Sequence, residues 1–96
     1  MGLNIDYLIK YLEINRIILF GSSLMGSHTD IDLLVVSDDF YDFSTFKRRS
    51  IVKRCILSRY NIDPICLTKK EYEKVLLENG DFIKSITNEG RIIYER

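Results

Sequence analysis

The chain has 96 residues, of which 46% are hydrophobic and 29% are charged, and its fourteen basic and fourteen acidic side chains cancel. This length allows one domain, residues 1–96, and the composition argues against the membrane and disordered classes. No stretch approaches the roughly 18 apolar residues of a membrane span. The N-terminus also lacks a basic-then-apolar signal pattern. We therefore expect a single cytoplasmic domain that has no membrane partner.

The cysteines and the charge distribution indicate the redox state of the thiols and the kinds of partner that the chain could bind. Cys55 and Cys66 each lie in an apolar run, which favours buried, reduced thiols in a cytosolic protein. A neutral net charge gives no general attraction for nucleic acid. However, residues 43–60 contain six cations and no acid. This basic run is either the solvated face of a helix or a surface that faces an anion or a partner protein.

The first third of the chain predicts one helix and two strands. Apolar residues at helical spacing predict a helix over residues 3–13. The β-branched, apolar run at 16–20 predicts a buried strand that stops at a glycine. Residues 21–29 are small and polar and predict a turn, and residues 30–37 predict a second strand with acids only at its start.

The rest of the chain alternates between helices and strands. The predicted elements are a helix over 44–59 with Ser44 as its N-cap, a strand over 61–68, a helix over 69–78 closed by Gly80, a short helix over 81–87 and a strand over 91–94. This order predicts an α/β (α+β) fold, in which helices flank a small mixed β-sheet.

Two acids open the second predicted strand. Asp30 and Asp32 are two residues apart, so their carboxylates project from the same face, about 6.6 Å apart at Cα. Like charges this close raise each other's pKa unless a cation lies between them. Hard oxygen ligands at such spacing suit magnesium. The alternative is that Asp30 caps the turn and Asp32 faces water.

Strand directions predict that a third acid joins this pair. A helical crossover makes the second and third strands parallel if they share a sheet, which places Asp63 beside Asp30 and Asp32. A short reversal after Gly21 would bring the end of the first strand to the same edge. Pro64 favours an extended backbone at Asp63 and confines this strand to a sheet edge or to its first residues. The alternative is that Asp63 is an ordinary turn acid.

A glycine and a serine follow the first strand. Gly21 lets the backbone come close to a ligand, and the amides after it can point at an anion. Ser22 adds a hydroxyl that can donate to a phosphate oxygen. A Gly-Ser pair ends many strands, so it does not specify a site by itself.

Together these segments resemble the signature of the polymerase-beta-like nucleotidyltransferases. Residues 17–35 (IILFGSSLMGSHTDIDLLV) combine an apolar strand that ends in Gly-Ser, a small turn and an Asp-x-Asp that opens the next strand. Residues 62–73 resemble the segment that carries the third carboxylate. The similarity is closest to the minimal, stand-alone bacterial and archaeal members, which often pair with a small helical partner protein.

The resemblance implies a nucleotidyltransferase fold and a magnesium-dependent transferase. Asp30 and Asp32 would ligate two Mg²⁺ ions, and Asp63 would complete the second metal site and help to deprotonate the acceptor. Ser22 and the Gly21 backbone would hold the triphosphate. The implied reaction transfers a nucleoside monophosphate, AMP from ATP, to a hydroxyl of a partner protein or small molecule.

The turn departs from the family pattern, because residues 23–29 contain no arginine or lysine. His28 or a cation from residues 47–54 could replace that contact. The departure keeps an alternative open, namely a catalytically weak, antitoxin-like binding module that neutralises or scaffolds a small helical partner. Ninety-six residues leave little room for a domain that binds the acceptor. A partner chain or a homo-oligomer could supply that part of the site. Magnesium-dependent ATP binding discriminates between the two hypotheses.

Overall fold

The computed structural model describes residues 2–21, 30–78 and 80–96. Residues 22–29, which make up most of the predicted turn, lie outside the described residues. The elements are β1 (Leu3–Asn4), α1 (Asp6–Tyr11), β2 (Arg16–Phe20), β3 (Asp30–Val36), a 3₁₀ turn (Asp38–Phe40), α2 (Thr45–Cys55), β4 (Leu57–Ser58), β5 (Asn61–Leu67), α3 (Lys69–Glu78), α4 (Gly80–Glu89) and β6 (Arg91–Glu95).

A four-stranded mixed sheet forms the centre of the fold, with the strand order β5-β3-β2-β6. β3 and β5 are parallel, as the helical crossover predicts, and β2 is antiparallel to both β3 and β6. β5 lies at one edge of the sheet, which confirms the position that Pro64 predicts for it. The predicted fold class, a small mixed sheet with flanking helices, is therefore correct.

Helices cover both faces of this sheet. One apolar cluster joins the sheet to α1 and α2 through Leu8 and Val52. A second cluster joins the opposite face to α3 and α4 through Tyr72 and Ile83. Residues 33–36 of β3 are all buried, because successive side chains enter opposite clusters. This arrangement explains why β3 is a continuous apolar run after its opening acids.

Several predicted boundaries agree with the structure. The bounds of β2 and α3 match the prediction, and β3 and β5 each end one residue earlier than expected. Ser44 is the N-cap of α2, and its side chain accepts a hydrogen bond of 3.2 Å from the backbone N–H of Lys47. Cys55 and Cys66 are buried free thiols. No helix within the described ranges is long and apolar enough to span a bilayer.

Other boundaries were predicted wrongly. The helix expected over 3–13 is confined to Asp6–Tyr11, and the helix expected to reach residue 59 ends at Cys55. The late start of α1 and the early end of α2 have one cause: β1 and β4 pair with each other in a separate two-stranded antiparallel sheet. This long-range pairing overrides the local helical pattern. Gly80 does not close α3 but is the first residue of α4, which runs on to Glu89.

Candidate active site

Three adjacent strands bring the three predicted carboxylates and Gly21 to one end of the sheet. Asp32 lies opposite Asp63 in the parallel register of β3 and β5. On the other side, Asp32 lies opposite Phe20, the residue that precedes Gly21. Asp30 lies opposite Asn61 at the start of the same pair of strands. The two strand directions inferred from the sequence therefore place the three carboxylates together.

The carboxylates lie on the face of the sheet that carries α3 and α4. Leu34 of β3 and Ile65 of β5 both belong to the cluster that packs against these helices. Since side chains two residues apart share a face, Asp32 and Asp63 project to that face as well. Leu34 is buried, Asp32 is half-buried and Asp30 is exposed. The helices thus cover one end of the face and leave the acidic end accessible.

The charges at this end repel one another. The pKa of Asp32 is raised above its ordinary value, first because the carboxylate is partly buried and then because Asp63 and Asp30 are negative neighbours. A divalent cation would relieve this repulsion, and carboxylate oxygens are hard ligands of the kind that Mg²⁺ prefers. The donor set therefore fits a magnesium ion. Across residues 2–21, 30–78 and 80–96, however, no group of three or more acidic, His or Cys side chains is placed so that it could hold a metal ion in this structure.

An arginine that the sequence interpretation missed contacts the third acid. The Arg49 guanidinium donates from Nη2 to Oδ1 of Asp63 at 2.9 Å and from Nη1 to the carbonyl of Pro64 at 2.6 Å. Asn61 likewise donates from Nδ2 to Oδ1 of Asp30 at 3.2 Å. The basic run was interpreted as a solvated surface or as one that faces an anion or a partner protein, and a contact with Asp63 was not predicted. The position of β5 at the edge, next to the helix that precedes it, is the signal that could have indicated the Arg49 contact.

Gly21 contacts the site through its backbone. Its φ of +78° lies in the left-handed region that favours glycine. A Cβ added here would collide with Oδ2 of Asp32 and lie 3.1 Å from the carboxylate carbon. Glycine thus allows the end of β2 to approach the central carboxylate. Ser22, to which the resemblance assigns a phosphate contact, and His28, which could replace the missing cation of the turn, both lie outside the described residues.

Replacing Gly21 by alanine is expected to damage both stability and the site. The positive φ alone should lower the free energy of unfolding by about 1–2 kcal/mol, and the added methyl group should displace the Asp32 carboxylate. Urea denaturation measures the first effect and divalent-ion binding the second. Gly80→Ala is the matched control, because the atoms nearest to its Cβ belong to the flexible end of Lys84. Equal stability of the two variants would contradict the requirement for glycine at position 21.

The mixed sheet and its helices have the architecture of a nucleotidyltransferase domain. A solved structure from Sulfolobus solfataricus, described as a candidate nucleotidyltransferase, superposes with a TM-score of 0.54 at 24% sequence identity. The match covers 86% of this chain and 65% of that chain, so this chain spans less than two thirds of the other protein. At this identity the similarity shows the fold alone.

The sequence comparison gives the family. Residues 4–96 match the family model described as "Polymerase beta, Nucleotidyltransferase". The chain therefore belongs to the polymerase beta nucleotidyltransferase family, which confirms the resemblance drawn from residues 17–35 and 62–73. No curated protein sequence matches the chain significantly. The roles of the individual site residues remain predictions.

Proposed function

We propose that this domain transfers AMP from ATP to a hydroxyl group of a partner protein or small molecule. The observation that carries the proposal is the pairing of Asp32 with Asp63 across adjacent parallel strands, with the pKa of Asp32 raised by its acidic neighbours. In the proposed reaction the acceptor oxygen bonds to the α-phosphorus of ATP. The bond from that phosphorus to the bridging oxygen breaks, and pyrophosphate leaves with its electron pair.

Each residue has a distinct proposed role. Asp30 and Asp32 hold Mg²⁺, and Asp63 completes the site for a second ion. When bound, the two ions would neutralise the triphosphate and stabilise charge on the transferred phosphoryl group. Asp63 also accepts the proton of the acceptor hydroxyl. The backbone after Gly21, together with the Ser22 hydroxyl, binds the β and γ phosphates.

Two differently labelled forms of ATP test this proposal. The protein is incubated with Mg²⁺, a small helical partner protein as candidate acceptor, and ATP labelled at either the α or the γ phosphorus. AMP transfer labels the acceptor from α-labelled ATP only, whereas phosphorylation labels it from γ-labelled ATP. The absence of both Mg²⁺-dependent ATP binding and label transfer would contradict the proposed function.

Asp63→Ala is expected to impair the chemical step more than ATP binding. A positioned proton acceptor typically contributes about 10²–10⁴-fold to a rate, while Asp30 and Asp32 remain to hold the metal that accompanies the nucleotide. Single-turnover kinetics measure the step, and calorimetry measures ATP affinity. Asp42→Ala, at an exposed acid in the turn before α2, is the control for the change in charge. Equal losses of rate and affinity in Asp63→Ala would assign this residue to binding instead.

A second candidate, the partner-binding module, rests on a different surface. The rings of Tyr7 and Tyr11 stack with their centroids 6.0 Å apart, and the two side chains are 62% and 60% exposed. With Arg54 and the exposed Leu57 they line a hollow of about 480 Å³. Because residues 43–60 contain no acid, the α2 side of this surface suits a helical partner that carries both acidic and apolar side chains.

This surface lies on the α1 and α2 side of the sheet, opposite the carboxylates, so the two functions can be tested separately. A Tyr7→Ser/Tyr11→Ser double variant should weaken binding to this helical partner and leave ATP affinity unchanged. Light scattering distinguishes that complex from self-association of this chain. Unchanged partner affinity in the double variant would contradict the use of this surface.

A further inference from the structure

We infer that Arg49 acts as a lock on Asp63, which means that its guanidinium occupies the carboxylate and competes with a divalent ion for it. The inference rests on the proposed function, because it concerns the metal site assigned there. Its basis is the two-pronged contact of Arg49 with Asp63 Oδ1 and with the neighbouring carbonyl of Pro64. Arg49 is therefore proposed as a positioning residue that acts on the site through Asp63.

The backbone of β5 fixes Arg49 in this place. The carbonyl of Leu67 accepts a hydrogen bond from the backbone N–H of Ser37 on the β3 side. Because carbonyls alternate in direction along a strand, those of Pro64 and Cys66 point to the free edge of the sheet. Arg49 donates to the first of these carbonyls at 2.6 Å, and Arg48 donates to the second at 3.2 Å. Arg49 is thus held at the edge of β5 independently of the Asp63 carboxylate.

The planar guanidinium suits this double role. Its two Nη groups form a rigid fork, so the nitrogen that binds the Pro64 carbonyl sets the direction of the one that reaches Asp63. The resulting ion pair, at 2.9 Å, joins two half-exposed side chains. Exposed pairs of this kind are weak. A divalent ion can therefore displace Arg49 from Asp63, at a cost in its own affinity.

The direction of the effect separates a lock from a structural support. A support would be needed to build the site, so its removal would weaken cation binding. A lock opposes the cation by occupying one carboxylate oxygen and by placing a positive charge beside the site. Arg49→Ala should therefore bind Mn²⁺ about three- to tenfold more tightly than the unchanged protein, while its unfolding temperature in chelator falls.

The experiment uses Mn²⁺ alone as the probe and follows free Mn²⁺ by electron paramagnetic resonance on the full chain. Lys53→Ala is the matched control, because Lys53 is an exposed cation one turn further along α2 and its loss changes the net charge equally. Mn²⁺ affinity of Lys53→Ala should stay close to that of the unchanged protein. Arg49→Lys keeps the charge without the fork and should fall between the unchanged protein and Arg49→Ala. Circular dichroism confirms that each variant is folded.

The possible results separate the lock from the site itself. Tighter Mn²⁺ binding by Arg49→Ala, abolished by adding Asp32→Asn, supports the inference. Equal or weaker binding by Arg49→Ala, with Asp32-dependent binding in the unchanged protein, overturns the lock and leaves the proposed function intact. If neither protein binds Mn²⁺ in an Asp32-dependent way, both the lock and the proposed metal site are wrong.

Discussion

Asp30→Asn and Asp32→Asn are each expected to reduce transfer of α-labelled AMP to background while the domain stays folded. Each change removes one negative charge from a site at which Asp32 already lies opposite Asp63, and amides are weaker ligands than carboxylates for a hard cation. The strands should tolerate the change, because Asn has nearly the shape of Asp and neither position lies in the apolar clusters. Transfer at an undiminished rate in either variant would contradict the assignment of these residues to the metal.

Asp32→Asn should also raise stability when divalent ions are chelated. The pKa of Asp32 lies above its ordinary value of 3.8, so ionisation of this carboxylate destabilises the folded state. This cost is absent in acid and grows as the pH rises through the folded pKa. The variant should therefore unfold at a higher temperature than the unchanged protein at pH 7, and the difference should disappear towards pH 4. Asp42→Asn, at an exposed acid, should show neither effect.

The strands and the position of the carboxylates were predictable because they depend on local patterns and on simple topology. The apolar runs of β2, β3 and β5 are short and have clear limits in the sequence. The run of β2 ends at Gly21, that of β3 follows the opening acids, and that of β5 follows Pro64. The crossover rule then sets β3 and β5 parallel, and this arrangement alone brings Asp63 to the end of the sheet where Asp32 lies. No residue-level detail was needed for that step.

The rest depends on long-range contacts that leave no local pattern. The pairing of β1 with β4 joins residues that are more than fifty positions apart, and it shortens both α1 and α2. Arg48 and Arg49 occur within one basic run, yet Arg48 is buried and Arg49 contacts the candidate site. Nothing in the spacing of the cations distinguishes these two from the exposed Lys53. The two arginines differ from Lys53 because both donate hydrogen bonds to backbone carbonyls at the free edge of β5.

The largest effect on stability is expected from Glu71→Gln. Arg48 is only 7% exposed, and its guanidinium donates to both carboxylate oxygens of Glu71, at 2.6 Å and 3.2 Å. It also donates to the carbonyls of Phe43 and Cys66. Removing the negative partner leaves a buried guanidinium without a counter-charge. Breaking a fully buried pair typically costs about 3–5 kcal/mol.

The expected loss is smaller here, because the Glu71 side chain is 44% exposed and water screens part of the attraction. We expect the free energy of unfolding to fall by about 2 kcal/mol, which corresponds to roughly 10 °C in Tm for a domain of this size. Urea denaturation at pH 7 measures the loss. Glu73→Gln, at an exposed acid on the same helix, is the control and should change stability little.

The pH dependence of this loss identifies its cause. The hydrogen bonds from Arg48 lower the pKa of Glu71 below its ordinary value of 4.5. The stabilisation is therefore complete above that value, and it is lost as the pH falls through the lower folded pKa. The difference between the unchanged protein and Glu71→Gln should shrink in acid. A difference that stays constant from pH 7 into acid would instead assign the effect to the shape of the side chain and its hydrogen bonds. Only the contribution of the charge depends on the ionisation of Glu71 in the unchanged protein.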